Sequence, residues 1–151
     1  MKAGVYTELF FLDEATALAA GHRPCAECRH AAYRSFKACW AAGAGVPVEG
    51  LSAAKMDRVL HADRRDENRR QRTWRAPPGM LPLGTMVAVD GAAWLVAGEE
   101  LLGWTLEGYR GRRPAHAEGE VDVLTPRSTV AALRAGYLPG LHDSARQVST
   151  P

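Results

Sequence analysis

An α+β fold is the expectation for this chain, and three observations carry it. Apolar residues recur at helical spacing through the first half. After residue 80 the pattern changes to short β-type runs around an Asp90-Gly91 pair, and a capped stretch beyond Thr125 returns to helix. The expected architecture is an N-terminal strand and a helical half, then a small antiparallel β-sheet with one C-terminal helix. The chain divides into residues 1–50, a helix with an Arg-rich connector over 51–80, and a β-rich region over 81–151.

The elements follow in order. "VYTELFF" (5–11) has the β-branched and aromatic content of a strand. Asp13 caps a short helix over "EATALAA", which Gly21 stops and Pro24 keeps from resuming. A second helix is expected from Pro24 or Ala26 to about Trp40, with Tyr33, Phe36 and Trp40 on its apolar face. "AAGAGVPVEG" (41–50) reads as a loop. Ser52 caps a third helix, with Leu51 and Met56 in staple positions and Met56, Val59 and Leu60 as a short apolar edge. "TMVAVDGAAWLVAG" (85–98) is a hairpin, "LLGWTLEGY" and "EVDVLTP" are further strands, and Thr125 or Ser128 caps a helix ending at Gly136. Trp94, Trp104 and Tyr109 are read as packing residues on the strands. "EATALAAGHRPC" (14–25) and "TVAALRAGYLPG" (129–140) share helix-stop residues, which we read as the same stop chemistry used twice rather than a repeat.

Composition narrows the function classes. The chain has 151 residues, 46% hydrophobic and 24% charged, the balance of an ordinary globular protein. A net charge of +2 gives no strong whole-molecule field toward nucleic acid. Of the 19 basic residues only Lys2, Lys37 and Lys55 are lysine; arginine forks suit phosphate and carboxylate, although a GC-rich genome produces the same bias. No apolar run approaches the ~20 residues of a membrane span, so no membrane is expected. The first 20 residues do not read as a secretory leader, and three cysteines do not make a disulfide framework. A reducing, cytoplasmic address is expected.

Chemistry concentrates at Cys25 and Cys28. Two thiols at x-x spacing grip one tetrahedral metal from a tight turn, with backbone amides stabilising the sulfurs. The same turn before a helix also suits a redox dithiol, and spacing alone does not separate these from a metal-free turn. The surrounding "FFLDEATALAAGHRPCAEC" (10–28) resembles the C-terminal half of the metal-binding domain of Ada-type DNA alkylation-repair proteins. Phe10, Phe11, Glu14, Ala15, Ala20, Gly21, Arg23, Pro24, Cys25 and Cys28 match, and His22 stands where that pattern has an aromatic residue. The resemblance implies zinc on Cys25 and Cys28, which makes residues 1–50 a partial zinc knuckle. In the Ada type two further cysteines precede the strand, and one accepts a methyl group. Here no cysteine precedes Cys25, so methyl transfer by that route is not supported. An earlier start, with Met1 an internal methionine, is one source for the missing ligands. Within the chain, Cys39 lies about 16 Å further along a helix and reads as core. His30 points away from Cys28, His22 reads as a packed ring, and His61, His116 and His142 have no spacing that argues for ligation.

Seven arginines fall between Arg58 and Arg75, against Asp63, Asp66 and Glu67. "RRQRTWR" interleaves Trp74, so an indole that stacks on a base and guanidinium groups that take phosphates lie side by side. A solvated helix face with pairs such as Asp66–Arg70 gives the same letters. The leading expectation is a zinc-binding, Ada-like module that contacts DNA or RNA through Arg64, Arg65, Arg69, Arg70, Arg72, Trp74 and Arg75. The alternatives are a nucleic-acid repair or nuclease enzyme centred on His61 near Asp63 and Asp66, and a thiol redox protein using Cys25 and Cys28.

Overall fold

A computed structural model describes residues 10–148, among which the chain forms five α-helices and a six-stranded antiparallel sheet. The expected strand over 5–11 lies outside the described residues but for Phe10 and Phe11, which have no regular structure. Helix α1 (Glu14–Ala19) begins as its letters require: Asp13 Oδ1 accepts from the Thr16 amide at 3.0 Å, and the Asp13 amide donates to Thr16 Oγ1 at 3.1 Å. It stops at Gly21, whose φ of +81° suits a residue without a Cβ.

Helix α2 (His30–Ala44) starts later than the sequence suggests. Residues 26–29 form turns, the Arg29 amide donates to the Cys25 carbonyl at 3.1 Å, and Arg29 is non-helical at φ −128°, ψ 51°. Nor does α2 end at Trp40. Its alanines carry it to Ala44, where Gly45 turns left-handed. Gly43 lies so close to helix α4 (Arg127–Arg134) that an added Cβ would come within 2.6 Å of the Ala131 carbonyl oxygen. Helix α3 (Ala53–Arg64) is capped by Ser52, which accepts from the Lys55 amide at 3.2 Å. Met56 and Leu60 are buried with Leu51, but Val59 is 44% exposed and does not join the apolar edge.

The strands are β1 (Trp74–Ala76), β2 (Met86–Val89), β3 (Ala92–Ala97), β4 (Glu100–Thr105), β5 (Gly108–Pro114) and β6 (Val121–Val123), in the spatial order β1-β6-β2-β3-β4-β5. Asp90 and Gly91, with φ of +51° and +76°, form the β2–β3 turn that the Asp-Gly pair predicts. Side chains alternate between two buried faces. Met86, Leu95, Leu102 and Tyr109 pack with Ala15 and Ala19 of α1 and Ala145 of the short helix α5 (Ser144–Val148). Val87, Val89, Val96, Leu101 and Val123 pack with Val130 of α4, and Trp94 lies against them. A third cluster joins the two halves of the chain: Leu18, Phe36, Trp40, Met56 and Leu60 meet Leu133 and Tyr137, with Phe36 and Tyr137 edge to face at 5.0 Å.

Two expectations are corrected. Neither Thr125 nor Ser128 caps α4: Thr125 Oγ1 accepts from the Met86 amide at 2.8 Å, within the sheet. The α4 N-terminus is served instead from α3, where Asp63 Oδ2 accepts from the Ser128 amide at 2.9 Å. Strand β1 and helix α5 were not expected at all. β1 is three residues long and exists by pairing with β6, Trp74 against Val123.

Candidate functional site

The turn that holds Cys25 and Cys28 is fastened on three sides. Arg23 grips Asp57 of α3 with a two-pronged contact, Nε to Oδ1 at 2.8 Å and Nη2 to Oδ2 at 2.9 Å, and lies over the Tyr33 ring at 5.4 Å. Arg29 pairs with Glu14 Oε1 at 3.1 Å. Arg64, the last residue of α3, donates Nη1 to the Ala20 carbonyl and lies across Gly21, where a Cβ would come within 2.5 Å of Arg64 Cδ. The closeness of Arg64 and the left-handed backbone therefore select glycine at the same position.

These contacts enclose an open cleft of about 1110 Å³. Cys25 and Cys28 face it together with Phe11, His22, His61 and Arg64. Neither cysteine is in a disulfide; Cys28 is exposed and Cys25 half-buried. Hydrogen bonding between the two thiols pushes the Cys28 pKa up from its ordinary value, while Arg29 acts the other way. His22 packs its ring on Phe11, centroids 5.2 Å apart. Burial, then the charge of Arg64, lowers the His22 pKa; Asp57 opposes both.

As metal donors, Cys25 and Cys28 fit one half of a tetrahedral set. Among the described residues, no group of three or more His, Cys, Asp or Glu side chains is arranged to hold a metal ion. Cys39 packs against the Phe36 and Trp40 cluster, as its spacing predicts.

The arginine stretch divides. Arg64, Arg65 and Arg69 meet Gln71 around a second concavity of about 380 Å³. The remaining members of the set do not line it. Arg72 Nη1 donates to the Ala62 carbonyl at 3.1 Å, and Arg70 is exposed, with its amide on Asp66 Oδ1 at 2.8 Å. Arg75 lies beside Glu120 and Asp122 at 3.9 and 3.6 Å. The Trp74 indole donates to the Thr125 carbonyl at 3.0 Å and has Arg127 over its ring at 4.3 Å, so it packs against the sheet rather than presenting a free stacking face. His61 is exposed in the cleft, while Asp63, its nearest acid in sequence, is turned to Ser128.

Sequence reasoning did not single out Glu14, Arg23 or Asp57. The signal for the first two was present, since both stand in the matched Glu-Ala and Arg-Pro-Cys letters; Asp57 carried none, because its partner is 34 positions away. Comparison with protein-family models, with curated proteins and with solved structures gave no match, so the Ada-type likeness rests on the letters of residues 10–28.

Proposed function

We propose that the chain is a zinc-binding, Ada-like module that associates with nucleic acid through its arginine segment. Cys25 and Cys28 would hold the metal, which keeps the turn before α2 in one shape and contributes rigidity rather than chemistry. Arg65, Arg69 and Arg70, exposed beyond α3, would take the phosphate backbone. The observation that carries the reading is the position of Arg64. Arg64 lines both the cysteine cleft and the arginine-lined concavity, so a group that rigidifies the first would also steady one side of the second.

The enzyme alternative loses support because Asp63 is engaged in capping α4, which leaves His61 without an orienting acid from that residue. The test is titration of a fluorescent single-stranded oligonucleotide at increasing salt. The reading predicts affinity that falls linearly on a log–log plot with a slope of about −2 to −3, one phosphate per free arginine. An absence of binding at low salt, or binding indifferent to salt, would contradict it.

A further inference from the structure

The concavity beside α3 is cationic without compensation: Arg64, Arg65 and Arg69 line it with Gln71, Ala19, Ala20 and Leu124, and no carboxylate is among these residues. Of the acids nearest in sequence, Asp63 accepts from the Ser128 amide, Asp66 accepts from the Arg70 amide, and Glu67 is exposed and does not line the concavity. Arg64 Nε is buried and has no hydrogen-bond partner, although Nη1 of the same group donates to the Ala20 carbonyl. That Nε lies against Gly21, on the side of the cysteine cleft, so within the concavity the charge of Arg64 acts beside those of Arg65 and Arg69.

The backbone holds the other two arginines in place. Arg65 and Gln71 pair across a tight turn, and Arg65 Nη1 donates to the Arg69 carbonyl at 3.1 Å. Arg69 itself sits at φ +60°, a left-handed conformation that favours glycine or asparagine over a long side chain. An arginine kept there shares the concavity with Arg64 and Arg65, and a bound group of negative charge would offset their repulsion. Guanidinium forks match the oxygens of phosphate and of carboxylate, and a tetrahedral phosphate offers acceptors to more than one fork at once.

We infer that this concavity seats one phosphate group, and that the group is a phosphodiester of a nucleic-acid strand. The choice of phosphodiester over free phosphate rests on the nucleic-acid reading above; the cavity chemistry is shared by both.

The experiment uses the whole chain and two probes, inorganic phosphate by calorimetry at low ionic strength and a labelled single-stranded oligonucleotide by anisotropy. Arg69→Gln and Arg65→Gln are compared with the native sequence. The expected result is that phosphate displaces the oligonucleotide, and that each variant weakens oligonucleotide binding roughly tenfold and reduces the salt slope by about one. Arg69→Gly separates function from folding: at φ +60° glycine removes strain, so thermal stability is kept or raised while phosphate binding falls. Phosphate binding that depends on both arginines, in a chain that binds no oligonucleotide, upholds the phosphate seat and removes the nucleic-acid reading. Oligonucleotide binding left unchanged by both variants, with no phosphate binding, overturns the seat and leaves that reading standing.

Discussion

Tyr137, beyond the end of α4, donates its hydroxyl to Glu14 Oε1 of α1 at 2.5 Å across 123 positions of sequence. The same carboxylate accepts from the Gly140 amide at 2.7 Å and pairs with Arg29, the residue after Cys28. Its neighbour Asp13 accepts from the Tyr109 hydroxyl at 2.8 Å and the His142 amide at 3.2 Å. Two adjacent acids at the head of one short helix thus fix the sheet, the C-terminal segment and the cysteine turn to one another.

Removing Glu14 should therefore cost far more than an ordinary surface acid. It is 8% exposed, and Glu14→Ala leaves the buried Tyr137 hydroxyl without an acceptor. The expected loss is on the order of 3 kcal/mol, a fall in Tm of roughly 6–12 °C for a chain of this size. Thermal unfolding measures it, and a shift below about 2 °C would show that the carboxylate is not the fastening point.

Both tyrosines shape the alkaline limb of stability. Burial, then the neighbouring carboxylate, raises the pKa of Tyr109 and Tyr137 well above the ordinary phenol value. The unfolded chain ionises near pH 10, so the folded state retains protons that the unfolded state releases. The stability is thus present below about pH 10 and is lost as the pH rises toward the folded values. Tyr137→Phe and Tyr109→Phe should each make that alkaline loss shallower; profiles that keep the native slope would contradict the assignment.

Gly21→Ala tests the joint between α1 and α3. A Cβ at φ +81° costs about 1–2 kcal/mol and meets Arg64 Cδ at 2.5 Å. The expected result is a Tm lower by roughly 2–8 °C, together with weaker phosphate binding because Arg64 is displaced. Unchanged binding of inorganic phosphate would detach Arg64 from the concavity.

Asp63 is assigned a capping role, and the conservative variant distinguishes this from chemistry. Asp63→Ala should cost about 1 kcal/mol, and Asp63→Asn should restore most of it, since asparagine caps as well as aspartate. Any catalytic turnover that follows the Asp63 charge rather than the cap would favour the enzyme reading.

Local chemistry made much of this fold legible. Asp13, Ser52, Gly21 and the Asp90-Gly91 pair each act within a few residues of themselves, and their helices and hairpin stand where the letters put them. What depends on distant partners was not legible. β1 has no strand pattern of its own and forms because Val121–Val123 lies beside it. Asp63 caps a helix that begins 64 positions later. The site behaves the same way. The Cys25–Cys28 turn announces itself by spacing, whereas the meeting of Arg64, Arg65 and Arg69 depends on how α3 packs over Gly21 and how the following turn folds back. The separation of Trp74 from those arginines follows from β1, which draws its indole onto the sheet.

The paired thiols are the centre of the account, and metal content tests them most directly. Zinc should be measured by elemental analysis in the chain purified without chelator, beside the Cys25→Ser and Cys28→Ser double variant. The account predicts about half to one zinc per chain, according to whether one or two cysteine pairs share the tetrahedral ion, and none in the variant. A native chain free of zinc, or a variant that binds as much as the native chain, would contradict it.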